Sequence, residues 1–301
     1  MLKTFIKISL ILISTSFIRA SERGVELISL EKDNIKSQAK ELIIKYPKIL
    51  EKYPELAKKA FGTDDINELK KQGFIPNAFK QLLTESKEVS TIIIGSILAA
   101  ITYGIINDQI TARICLEYFS KGFHKDMMMS WRDPIFKKLR NILMNSSSPT
   151  TYAFIWGTIA TWWVGAIGGI PLAIIARLGS PWVPGVDSKE LVKPLKIALP
   201  SIAAGTFLTG LYTYLKYKNN TSLINNYRNM YYMAMSGVSE SNLLGFIVDS
   251  NIHFAAYAGG GLAGLALIGY TAYKRFNKSK ELEQQAQKLL DIELKHPFDN
   301  K

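Results

Sequence analysis

One cysteine, Cys115, in 301 residues excludes a disulfide framework, and three histidines leave little material for a histidine-based metal centre. The histidines, His124, His253 and His296, are too dispersed in sequence to suggest metal ligation. No phosphate-binding G-x-x-x-x-G-K-[ST] loop, no H-E-x-x-H and no G-x-S-x-G is present. Nucleotide-driven transport within this chain, zinc-protease chemistry and the common serine-hydrolase arrangement therefore lose their usual sequence support. The most informative absence is charge. Residues 89–106, 153–176, 197–215 and 254–273 contain no Asp, Glu, Lys, Arg or His. Each approaches the length of about 20 apolar residues that crosses a bilayer. Backbone groups in lipid must satisfy one another, and continuous apolar runs lack the alternation of barrel strands, so the expectation is four helices.

The expected fold class is thus all-α, a four-helix transmembrane bundle preceded by a signal peptide and a small helical extramembrane domain. Residues 1–20 carry Lys3 and Lys7 ahead of a short apolar run and read as the signal. Residues 21–88 hold 13 basic and 12 acidic side chains and suggest short amphipathic helices. In that stretch Lys45-Tyr-Pro-Lys-Ile-Leu-Glu51 and Lys52-Tyr-Pro-Glu-Leu-Ala-Lys58 form an imperfect seven-residue repeat, each Pro suited to the first turn of a helix. The membrane domain covers 89–275, and 276–301 reads as a polar C-terminal tail. A signal peptide places 21–88 outside; the basic residues divide almost evenly between the two sides and do not decide the orientation.

The net charge of +12 gathers around the spans, with Arg132, Lys137, Lys138 and Arg140 in one cluster and Lys274, Arg275, Lys278 and Lys280 in another. Anionic lipid headgroups suit both clusters better than nucleic acid. No cofactor is implied. Within the spans, Gly165 and Gly169 lie four apart, as do Gly260 and Gly264, a spacing that lets helices pack closely. Pro171 predicts a kink in the second span, and Pro200 reads as an early residue of the third. The adjacent Trp162 and Trp163 suggest packing against neighbouring helices.

Four spans bring the end of the first and the start of the fourth to one membrane face. Asp108, Gln109, Arg113 and Glu117 follow the first; Asp249, His253 and Tyr257 stand at the opening of the fourth. Ionisable groups at such a boundary can pair, relay protons or hold an ion. If 108–120 continues as one helix, Arg113 and Glu117 pair at i,i+4 and Cys115 is a small packing residue. The shared face predicts that His253 meets the Asp108–Glu117 segment through a polar contact.

These residues also carry a resemblance. Asp108-Gln-Ile-Thr-Ala-Arg-Ile-Cys-Leu-Glu-Tyr-Phe119, Trp156-Gly-Thr-Ile-Ala-Thr-Trp-Trp-Val-Gly165, Ala176-Arg-Leu-Gly179 with Pro181, and His253 with Tyr257-Ala-Gly-Gly260 resemble a widespread family of bacterial multi-pass integral membrane proteins. The resemblance spans roughly 90–275. It implies a membrane protein and supplies candidate positions rather than roles. Three classes of function follow: a non-catalytic interaction or assembly protein, with a protein partner met through 21–88; a small transporter or channel component using the polar cluster; and an intramembrane enzyme using it as acid and base.

Overall fold

In a computed structural model, the structure describes residues 34–295 except 48, 75–77, 131–132 and 180–183. The signal sequence expected at 1–20 and His296 lie outside the described residues. The fold is all-α, with no strand among the described residues.

Among the described residues, four short helices come first: α1 (34–45), α2 (Ile49–Lys52), α3 (Pro54–Phe61) and α4 (Ile66–Lys71). Then α5 (Ala78–Ile114) enters the first span and α6 (Leu116–Ser120), α7 (Gly122–Ser130) and α8 (Pro134–Met144) follow it. The second span is α9 (Pro149–Ile159) and α10 (Trp162–Arg177), and the third is α11 (Ser188–Tyr217). After α12 (Thr221–Met230), the fourth belongs to the 53-residue α13 (Leu243–Lys295). Among the described residues, four helical stretches are long and apolar enough to cross a membrane: Leu83–Ile114, Pro149–Arg177, Ser188–Tyr217 and Glu240–Ile292. The chain is a multi-pass integral membrane protein.

Two compact units divide the chain. One gathers the helices before Thr84 with the end of α13 from Phe276. Its core joins Ile43, Leu56, Ala57 and Leu69 to Leu282, Ala286 and Leu289. The segment expected as a polar tail is therefore part of a core. Its apolar residues recur at i, i+4 and i+7 on one helical stripe, and the polar average of 276–301 hides them. Of the two proline-led repeats, the second starts a helix as expected, Pro54 standing at the beginning of α3, while Pro47 of the first precedes α2 by two residues.

The other unit is the membrane bundle, Thr84–Leu178 with Gly185–Arg275. One end is fastened by charge. Arg177, its side chain 9% exposed, reaches Glu85 at 2.6 Å and Asp187 at 2.7 Å, while Lys274 meets Glu190 at 2.7 Å. Arg275 donates to the carbonyls of Ile175 and Leu178, which the end of α10 leaves without helical partners.

The second span is interrupted at Ala160–Thr161, and Pro171 lies inside α10, as its place in the span implied. Thr161 turns its hydroxyl onto the Gly157 carbonyl, local competition of the kind that loosens a helix. One expectation about proline changes. Pro200 lies well inside α11, because Glu190 accepts from the Asp187 amide and starts the helix at Ser188.

Glycine sets how closely the helices approach. A Cβ on Gly157 would lie 2.6 Å from the Ile105 nitrogen; one on Gly165 would lie 2.6 Å from the Ile97 Cα; one on Gly169 would lie 2.8 Å from the Ser96 Cβ. These contacts lay α9 and α10 directly on α5. Gly260 and Gly264 correct the packing expected of them: nothing lies within 4 Å of a Cβ built at either. They face open space because α13 meets α11 one residue away, through Gly259 on Ile202, and again at Gly210 on Ile252. Trp162 and Trp163 are also half-exposed rather than packed into neighbours.

Candidate functional site: a polar cluster closing an apolar cavity

α13 presents Asp249, His253 and Tyr257 at four-residue spacing, so the three share a stripe. His253 Nε2 lies 3.0 Å from Asp108 Oδ1 on α5, and its Nδ1 lies 2.9 Å from the Asp249 carbonyl oxygen. A carbonyl only accepts, so Nδ1 carries a hydrogen. The contact between Nε2 and the carboxylate then holds one proton, on the imidazole or on Asp108. Asp108 is 4% exposed and Asp249 fully buried. Neither carboxylate oxygen of Asp249 has a hydrogen-bond partner; the Asp108 carboxylate and the Cys115 backbone face it.

The helix does not continue from 108 to 120. α5 ends at Ile114, and Cys115 is extended (φ −149°, ψ 94°), restarting the chain as α6. This break corrects the Arg113–Glu117 pairing. Arg113 folds back onto the carbonyl and side chain of Gln109 and reaches Thr150 at 3.0 Å, away from the Asp108 cluster. Glu117 accepts from the backbone amide of Ser239 at 2.7 Å and from its hydroxyl at 3.0 Å. The sequence-derived set therefore separates: Asp108, His253 and Tyr257 stay together, while Gln109 with Arg113, and Glu117, serve local anchoring.

The break also delivers residues that spacing did not reveal. Tyr118 stacks on His253 with ring centroids 4.7 Å apart, and its ring lies 4.6 Å from that of His124. His124 meets Trp156 edge-on at 5.0 Å. Two histidines 129 positions apart thus flank one tyrosine, although no group of three metal-ligating side chains forms among the described residues. Burial lowers the His124 pKa to about 4, with the neighbouring His253 acting in the same direction. Burial also holds the Tyr118 hydroxyl far above the usual phenol range. The Cys115 thiol, 2% exposed, is pushed up to about 11 by burial, which fits a packing residue rather than a nucleophile.

Beyond this cluster a cavity of about 610 Å³ opens along the inside of the bundle. All four spans line it. α5 contributes Gly95, Ser96, Ala99 and Ala100; α10 contributes Gly165, Gly168 and Gly169; α13 contributes Ala256, Gly260, Ala263 and Gly264; and α11 covers it with Leu195, Leu199 and Ile202. Small side chains on three helices against large ones on the fourth leave the space unfilled. From Thr91 to Asp108 along α5 the lining extends about 25 Å at 1.5 Å per residue. Tyr103, Asn107, Asp108, His253 and Tyr257 close one end, and Ser188 and Lys189 stand at the other. The spaced Gly260 and Gly264 were the sequence signal for this cavity, since a small-residue stripe either packs or leaves room.

No model of a known protein family, no curated protein and no solved structure matches the chain. Its fold and this site define a class, a multi-pass membrane protein with an intramembrane cavity closed by an Asp–His pair.

Proposed function

We propose that this protein binds a lipid-like amphiphile inside its four-span bundle, as the binding component of a small carrier. The observation that carries the reading is the cavity. Its volume falls in the range of about 300–1,000 Å³ usual for ligand sites, its walls are apolar over most of a bilayer's depth, and its polar groups gather at one end. An apolar chain fits the walls, and a polar end fits the Asp108–His253 face. This favours the transporter class over a purely structural assembly role, in which such a space would cost packing energy without return. We further propose a bacterial inner membrane as the location, a signal at 1–20, headgroup contacts through the basic clusters flanking the spans, and membership of the family resembled.

The test uses the intact protein purified in a mild non-ionic detergent, with retained lipid extracted and identified by mass spectrometry. Gly260→Leu and Gly264→Leu fill space that is open around both positions. The wild type is expected to retain an amphiphile at a fixed stoichiometry, and the two variants to lose it. Variants that melt like the wild type and keep the same lipid in the same amount would overturn the reading.

A further inference from the structure

We infer that the occupant of the cavity is a lipophilic cation, an amphiphile with an ammonium-type end, and that its charge stands against Asp108. This rests on the amphiphile reading above and adds the chemistry of the polar end.

The ionisable groups lining that end are Asp108 and His253, and the tyrosines are Tyr103 and Tyr257. Behind them Asp249 is fully buried with both carboxylate oxygens lacking hydrogen bonds. The Asp108 carboxylate therefore meets the His253 imidazole, with the Asp249 carboxyl packed behind Asp108, in a space with little water. Arg113, the arginine nearest to Asp108 in sequence, turns its guanidinium to Gln109 and Thr150. Lys189 stands at the opposite end, about 25 Å along the helices. An anionic headgroup at Asp108 would meet like charge in a low dielectric; a cation meets opposite charge there. The tyrosine rings add a second attraction, since an ammonium over an aromatic face gains most where water is excluded.

The empty and filled states differ by one proton. With the cavity empty, the His253–Asp108 contact holds a single proton between Nε2 and Oδ1, which neutralises the buried carboxylate. When the cation arrives it takes over that neutralisation. The proton leaves to solvent, His253 becomes a neutral ring still donating from Nδ1 to the Asp249 carbonyl, and Asp108 remains a carboxylate paired with the cation. No covalent bond changes. Proton and cation thus compete for Asp108, with His253, Asp249, Tyr103, Tyr118 and Tyr257 as the titratable groups that face it.

The experiment uses the intact protein in non-ionic detergent and three radiolabelled probes sharing one alkyl chain: hexadecyltrimethylammonium, hexadecanol and hexadecanoate. The ammonium is expected to bind about tenfold or more tightly than the carboxylate and to release about one proton per molecule bound. Asp108→Asn should abolish the ammonium's advantage over hexadecanol. Equal or tighter binding of the carboxylate, a quantity read on the wild type alone, would overturn the cation while leaving the amphiphile reading standing. Failure of all three probes to bind would overturn the amphiphile reading itself.

Discussion

Replacing Gly165 with alanine adds one methyl group where the structure has no room for it. The new Cβ would lie 2.6 Å from the Ile97 Cα, 2.7 Å from the Ser96 oxygen and 3.0 Å from the Ala100 Cβ. Two of these atoms are backbone, so no rotamer change relieves the overlap, and ordinary carbon contacts of about 3.5–4.0 Å require α10 and α5 to part by about 1 Å. Overpacking of this kind costs about 1–3 kcal/mol. The helix propensity of alanine over glycine returns up to about 1 kcal/mol. The net expectation is a loss of about 0–2 kcal/mol. Gly260→Ala supplies the control, because nothing lies within 4 Å of its Cβ; it keeps only the propensity gain of about 1 kcal/mol. The two single-methyl variants, both in spans, should therefore differ by the overpacking cost alone, about 1–3 kcal/mol. Unfolding in mixed micelles with increasing dodecyl sulfate, followed by circular dichroism, measures the difference. Equal stability of the two variants, or a more stable Gly165→Ala, would refute the close α5–α10 contact and the open face of α13 together.

Deleting 276–301 should strip Leu282, Ala286 and Leu289 from the small unit, each leucine contributing about 1.5–3 kcal/mol of burial; limited proteolysis of the shortened chain should then cut within 34–74, and unchanged protection there would contradict the shared core. His124 has a folded pKa of about 4 against an ordinary 6.5, so the stability tied to its neutral ring is complete above about pH 6.5 and declines as pH falls towards 4. Carbon NMR of labelled histidine should give His124 a midpoint near 4, and a midpoint near 6.5 would show the ring to be solvated. Cys115, raised from 9.0 to about 11, favours the folded thiol, so stability should fall as pH rises above about 9; below that, N-ethylmaleimide should modify it only on unfolding, and prompt labelling of the folded protein would contradict its burial.

The spans were legible because absence of charge over about 20 residues has a single physical cause, and an even number of spans places Asp108 and His253 at one face whatever the packing. Their contact at 3.0 Å follows from topology and from the cost of leaving either group alone at the edge of lipid. The break at Cys115 was not legible. No Pro or Gly marks it, and the restart at Leu116 is tied down by tertiary contacts, Glu117 to Ser239 and Tyr118 between His253 and His124. The pairing of Arg113 with Glu117 depended on that helix continuing and fell with it. Among the glycines, spacing identified a small face in both pairs but not what meets it. All four border the cavity, but a Cβ at Gly165 or Gly169 would meet the backbone of α5 or its Ser96 side chain, while one at Gly260 or Gly264 would meet open space, a distinction made by the neighbouring helix rather than by the residues themselves. The apolar stripe Leu282, Ala286 and Leu289 was present in the sequence at helical spacing, but its low density among Lys, Glu and Gln concealed it.

The central claim is that an apolar chain lies inside the bundle, and photo-cross-linking tests it most directly. An alkyl amphiphile with a photoreactive group in its chain would be equilibrated with the intact protein in a bilayer, irradiated, and its attachment sites mapped by mass spectrometry. Attachment is predicted at inward positions lining the cavity, such as Val164, Leu195 and Ala263. Attachment confined to the outward side chains of Phe254, Leu262 and Leu265, which are 75%, 69% and 67% exposed, would contradict it.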